Sequence, residues 1–143
     1  MIKSDGTSSY FIVLIGRIIS IKKLNMKTVL ICDDSTTDLT RLSSVLETKG
    51  CLVIKSTKGT KVLALAQRHH PDVIFLDIVM PDKDGFVVCR ELVNNNDTKD
   101  IPIIFVSSKG KKADHIWAKM QGAKALIQKP FNDNDILEKL AFI

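Results

Sequence analysis

Thr28-Val29-Leu30-Ile31-Cys32-Asp33-Asp34 is a β-branched and apolar run closed by two adjacent carboxylates. A run without polar alternation is what a strand covered on both faces requires, and that places it inside a parallel sheet. Val73-Ile74-Phe75-Leu76 repeats the pattern and is closed by Asp77. If the two runs are neighbouring strands, three carboxylates converge at one sheet edge. Like charges gathered there are costly unless a cation or a covalent partner offsets them, and hard oxygen ligands of this kind suit Mg²⁺. The plainer alternative is three solvated loop aspartates that happen to follow strands. The double acid, the single acid and a later Lys129-Pro130, in that order, argue against coincidence.

Strand-like and helix-like stretches alternate around these runs. Ser35 is placed to cap a helix carrying Leu39, Leu42, Val45 and Leu46 at three-to-four spacing, stopped by Gly50. Leu52–Ile54 is a short strand, and a helix over about Thr60 to His69 ends before Pro71. A polar loop from Asp77 to Gly85 leads into a helix with Phe86, Val87, Cys89, Leu92 and Val93 on its apolar side, which runs out at Asn94. A strand at Ile103–Val106, a helix at Lys112–Gln121, a strand at Ala125–Gln128 and a helix at Asp133–Phe142, capped by Asn132 or Asp133, complete the pattern. Five βα units with short connections predict an α/β fold, a doubly wound five-stranded parallel sheet with helices on both faces. Ligands of such sheets bind at the carboxyl ends of the strands, where the acids lie.

A chain of 143 residues, 45% hydrophobic and 26% charged, has the size and composition of one soluble domain. Its net charge of +5 is unevenly spread: Lys3, Arg17, Lys22, Lys23 and Lys27 against Asp5 give +4 over residues 1–27, leaving +1 for the rest. That is no footprint for a phosphate backbone, so DNA is not an expected partner. The three cysteines, Cys32, Cys51 and Cys89, sit in apolar contexts without framework spacing and read as small buried residues in a reducing compartment. Nothing near them in sequence would lower a thiol pKa. His69, His70 and His115 have no Cys or acid at ligand spacing and read as solvated helix-end residues.

The apolar stretch from Tyr10 to Ile21 is broken by Arg17 and falls short of the roughly 20 residues of a membrane-spanning helix. No signal peptide is evident. The stretch could be an extension upstream of a start at Met26, a membrane-surface anchor, or an extra packing element. The first is favoured because Met26-Lys27 opens directly onto the first strand. The expected division is therefore an extension over 1–26 and a folded domain over 27–143, cytoplasmic and without membrane association.

From about Lys27 to Phe142 the chain resembles the receiver domain of bacterial two-component response regulators. The resemblance rests on Asp33-Asp34, on Asp77-x-x-Met80-Pro81-x-x-Asp84-Gly85, on Ser107, and on Lys129-Pro130-Phe131, each at the end of a strand. It implies a flavodoxin-like sheet of order 2-1-3-4-5. With no effector domain following, it implies a stand-alone receiver of the chemotaxis type. Trp117 and Gln121-Gly122-Ala123 are similar to single-domain regulators of type IV pilus, or twitching, chemosensory systems.

The resemblance also implies roles. Asp77 would accept a phosphoryl group from a sensor histidine kinase, in a reaction that depends on positioning and on charge neutralisation. Asp33, Asp34, Asp77 and the backbone carbonyl of Val79 would hold Mg²⁺, Lys129 would pair with the acyl phosphate, and Ser107 would hydrogen-bond it as the switch. Lys129-Pro130 would be a cis peptide, and Gly85 would serve a turn. The partner downstream would be a signalling or motility protein, and the only turnover self-dephosphorylation. Leu126 stands where the family usually has a switching aromatic. Val79 and Lys109 flank the place of the attacking water, which Val79 has no polar group to orient. The alternatives are a haloacid-dehalogenase-like phosphatase, which needs an acid where Val79 stands, and a receiver-like module that signals by binding alone.

Overall fold

The computed structural model describes residues 9–14, 17–22, 26–141 and 143. β1 (Ser9–Leu14) and β2 (Arg17–Lys22) pair antiparallel as a two-stranded sheet of their own. The remainder of the 1–26 segment up to Asn25, and Phe142 at the end of the expected last helix, lie outside the described residues. From Thr28 the order is β3 (Thr28–Cys32), α1 (Thr36–Thr48), β4 (Leu52–Ser56), a 3-10 turn at Gly59–Lys61 running into α2 (Val62–His69), β5 (Val73–Leu76) and α3 (Gly85–Val93). β6 (Ile103–Ser107), α4 (Lys112–Met120), β7 (Ala125–Gln128) and α5 (Asp133–Ala141) follow. The five strands are all parallel in the order β4-β3-β5-β6-β7, which is 2-1-3-4-5 counted from Thr28.

The continuous apolar runs exist because both faces of the sheet are covered. Leu30, Ile74, Leu76, Ile103, Phe105 and Leu126 face a core shared with Val62, Ala66, Val88, Leu92 and Ala118 of α2, α3 and α4. Val29, Ile31, Val73, Phe75, Ile104 and Ile127 face a second core, with Leu39, Leu42 and Leu46 of α1 and Ile136 and Leu140 of α5. Alternate strand residues thus serve opposite layers, and a one-residue register slip would exchange them. Leu126, in the place of the expected aromatic, is turned into the first core and is 7% exposed.

The helix caps follow the sequence. The Ser35 side chain accepts from the Asp38 amide, Asp84 accepts from Phe86, and Asn132 and Asp135 exchange reciprocal bonds at the start of α5. β4 runs two residues past Ile54 because Lys55 and Ser56 still pair with Ile31 and Cys32. The 3-10 turn before α2 is held from another loop: the Asp82 carboxylate accepts from the amides of Gly59 (3.2 Å) and Thr60 (3.0 Å). Cys32 and Cys89 are buried as expected, and burial is the main cause that pushes their thiols up to about 12 and about 11. Cys51 is only half-buried. It directly precedes β4, whose Leu52 and Lys55 are exposed. Among the described residues no helix is long and apolar enough to cross a membrane.

Candidate functional site

β3 and β5 are neighbours, with Cys32 paired to Leu76, so the chain leaves both strands at one level. The Asp77 amide donates to the Cys32 carbonyl (2.9 Å) and the Asp33 amide to the Ser56 carbonyl (3.1 Å), which fixes where each aspartate departs. One carboxylate oxygen each of Asp33, Asp34 and Asp77 then lies within 4.8 Å of the others. Asp33 and Asp77 are 4% and 6% exposed, whereas Asp34 is open to solvent. Asp33 Oδ1 accepts from the Ser35 amide (2.9 Å) and Asp77 Oδ1 from the Ile78 amide (2.8 Å), so the remaining oxygens face the shared space.

Lys129 is delivered to the same place from the end of β7. Its backbone amide donates to the Ser107 carbonyl (2.8 Å), and the Lys129-Pro130 peptide is cis. Its Nζ donates to Asp33 Oδ2 (2.6 Å) and to Asp38 Oδ2 (2.9 Å), and stands 3.8 Å from Asp77 Oδ2. Ser107 is fully buried at the end of β6, and its Oγ accepts from the Lys109 amide at 3.3 Å. Val79 lies in the loop after Asp77 with its side chain half exposed. That loop is pinned at both ends: Asp82 is tied to Gly59 and Thr60, and the Gly85 amide donates to the Ile78 carbonyl (2.7 Å).

Two of these groups escape a reading of the sequence. Asp38 looks like an ordinary acid in a first helical turn, favourable beside the helix dipole. Only its spacing of four from Asp34, on a helix starting at the sheet edge, hints that it points back at the pocket. Asp82 looks like a loop residue, and its role rests on contacts 22 and 23 residues away in the chain.

Crowding shows in the electrostatics. Burial, then the neighbouring Asp33 charge, raises the Asp77 carboxyl to about 6, against the opposing effects of Lys129 and the Ile78 amide. Burial alone would lower the Lys129 ammonium, but its hydrogen bonds to Asp33 and Asp38 and the charge of Asp77 outweigh this and leave it raised.

Between the ordinary carboxyl value and about 6, folded Asp77 keeps a proton that the unfolded chain has lost. Its contribution is therefore present at low pH and disappears as pH rises through that interval. The Asp82 carboxyl, lowered to about 2 chiefly by the Thr60 amide, acts in a more acidic window and does not overlap. In EDTA the melting temperature is expected to fall from pH 4.5 to 7, and millimolar Mg²⁺ is expected to restore most of the loss. Thermal melts at the two pH values with and without Mg²⁺ check this. A melting temperature that rises over the interval in EDTA would contradict it.

Three acids and a lysine thus meet at the carboxyl edge of a parallel sheet of order 2-1-3-4-5, where ligands of such sheets bind. Residues 29–141 match the family model described as response regulator receiver domain. Over 115 residues the chain is 38% identical to Protein PilH of Pseudomonas aeruginosa, covering 80% of this chain and 95% of that protein. The chemotaxis response regulator CheY4 of Vibrio cholerae superposes with a TM-score of 0.77 at 30% identity, covering 82% of this chain and 98% of CheY4. The CheX-CheY-BeF3-Mg complex of Borrelia burgdorferi superposes at 0.76 with 26% identity, over 82% of this chain and 90% of that one. The chain belongs to the response regulator receiver domain family. It is a phosphoacceptor response regulator of two-component signalling, with relatives of the chemotaxis and pilus type. The phosphatase alternative is not favoured: position 79 holds a valine where that chemistry needs an acid.

Proposed function

We propose that Asp77 is the phosphoacceptor, and that the protein relays the signal of a histidine kinase by changing its contacts with another protein. The observation that supports this most is the placing of one buried, crowded carboxylate, Asp77, beside two further acids and 3.8 Å from the Lys129 ammonium. An Asp77 oxygen forms a bond to phosphorus as the bond from phosphorus to the donor's imidazole nitrogen breaks. The product is an acyl phosphate, and its added charge must be met by cations.

The all-oxygen set of Asp33, Asp34 and Asp77, mutually within 4.8 Å, fits a hard divalent ion. Mg²⁺ there, with the Val79 carbonyl as a further ligand, would neutralise phosphoryl charge during transfer. Asp33 and Asp34 orient and balance that site. Lys129 pairs with a phosphoryl oxygen, and the Ser107 hydroxyl, whose oxygen accepts from the Lys109 amide, donates its proton to another. Activity beyond self-dephosphorylation is not part of this reading. Uptake of phosphoryl mass from acetyl phosphate or a candidate kinase, present with Mg²⁺ and lost in EDTA, tests it.

The output surface in this reading is protein-facing. Ile116, Trp117 and Met120 of α4 are 52%, 47% and 68% exposed. Trp117 packs edge-on to Phe86 (6.4 Å), which packs on Phe105 of β6 (5.2 Å), so the surface is linked to the strand that ends in Ser107. The near-neutral charge after residue 27 supports a protein target, such as a motility protein of a type IV pilus system, over DNA.

We further propose that the receiver unit is 27–143 and acts in the cytoplasm, with residues 1–25 dispensable for its fold. A chain starting at Met26 is expected to melt within about 1 kcal/mol of the full chain and to take up phosphoryl groups equally. A loss of several kcal/mol, on the scale of a missing core element, would show that the extension packs as structure.

A further inference from the structure

Lys129 stands closer to α1 than to the residue it is meant to serve. Its Nζ makes hydrogen bonds at 2.6 Å to Asp33 and 2.9 Å to Asp38, whereas Asp77 Oδ2 is 3.8 Å away, beyond hydrogen-bond reach. Asp33 is one of the three acids that can hold a cation, and Asp38 is not. A divalent ion on Asp33 competes directly for the oxygen that holds Lys129. Asp38 keeps its grip, because it stands outside that cluster on the first turn of α1, its backbone fixed by the Ser35 cap.

We propose that Asp38 is a positioning residue that tethers the Lys129 ammonium on the α1 side and so sets how readily it reaches a phosphoryl group on Asp77. This rests on the roles given above to Asp77 and Lys129. The lysine has three donors and a flexible stem. Reaching a phosphoryl oxygen on Asp77 means leaving Asp38 or stretching that bond. Asp38 is partly solvated, with a side chain 39% exposed, so the tether is weak enough to be broken by the doubly charged group that replaces it as partner. The unphosphorylated state therefore keeps its lysine parked, and modification must draw it away from α1. Movement of Lys129 would also change the charge that α1 presents to a partner, since Asp38 is left unpaired in the modified state.

The test is the affinity for beryllofluoride, a phosphoryl mimic, at saturating Mg²⁺, followed by NMR shifts in the full chain. Asp38→Asn is expected to tighten binding by roughly 1.5- to 5-fold, the range that a partly exposed ion pair converts to. Asp38→Glu is expected to stay close to the unsubstituted protein. The deciding comparison is in a Lys129→Ala background, where part of any gain through direct charge relief remains but the gain through the lysine disappears. A gain from Asp38→Asn at least halved in that background supports the tether. An equal gain in both backgrounds, or no gain in either, overturns it. If Lys129→Ala alone leaves beryllofluoride affinity unchanged, the role given to Lys129 itself falls, and the tether falls with it. Melting temperatures of each variant separate these outcomes from a loss of fold.

Discussion

Gly85→Ala is expected to lower stability by roughly 3 kcal/mol and the melting temperature by about 10 °C, with Asp77 losing its placement in the fraction that still folds. A methyl group at this position would stand 2.1 Å from the Asp77 carbonyl oxygen and 2.8 Å from Ile78 Cα. Both are backbone atoms, so no side chain can swing away. The amide of Gly85 also donates to the Ile78 carbonyl (2.7 Å), and this holds the start of α3 against the chain immediately after the proposed phosphoacceptor. Relief of the clash must therefore move the backbone of Asp77 or release α3. Gly50→Ala is the control: nothing lies within 4 Å of its added carbon, but its φ of +79° is a left-handed conformation, so a cost of about 1 kcal/mol is expected, with phosphoryl uptake unchanged. Thermal melts and mass measurement on the two variants separate them. Equal losses at the two glycines would contradict the close-approach explanation.

Asp77→Asn is expected to act in opposite directions on function and stability. An amide nitrogen or oxygen does not accept a phosphoryl group as a carboxylate does, so uptake from a donor should fall to background. The same change removes one of three crowded charges. Asp77 is raised to about 6 by burial and by Asp33, so its ionised form at neutral pH is a cost, on the order of 1–3 kcal/mol, that the neutral amide relieves. In the absence of a divalent ion the variant should melt higher than the unsubstituted protein, and its melting temperature should respond less to Mg²⁺ and to pH between 4.5 and 7. Loss of uptake together with loss of stability would point instead to a misfolded pocket.

Much of this was legible in the sequence because the three central strands are buried on both faces. Thr28–Cys32 and Val73–Leu76 are set by their own composition, the edge strand Ala125–Gln128 by its pairing with β6, and the acids and lysine that end them inherit their positions from the sheet. The caps at Ser35 and Asn132 are local, and local chemistry decides them. What was not legible depends on groups distant in the chain. The turn at Gly59–Lys61 takes its shape from Asp82, and β4 is prolonged by its pairing with β3. Gly85 reads in the sequence as a turn glycine. Its φ is not positive, and what excludes a side chain is the Asp77 backbone folded against it. Asp38 illustrates the same limit at the site: nothing in a first-turn acid reveals a lysine 91 residues further on.

The claim on which the function rests is that the phosphoryl group sits on Asp77. The direct measurement is to phosphorylate the full chain with acetyl phosphate and Mg²⁺, reduce the acyl phosphate with borohydride, and map the peptides by mass spectrometry. Reduction turns a phosphorylated aspartate into homoserine and leaves free carboxylates unchanged. The expected result is homoserine at position 77 alone, absent when Mg²⁺ is chelated. Homoserine at position 33, 34 or 38, or a borohydride-resistant phosphate on Ser107 or Ser35, would contradict it.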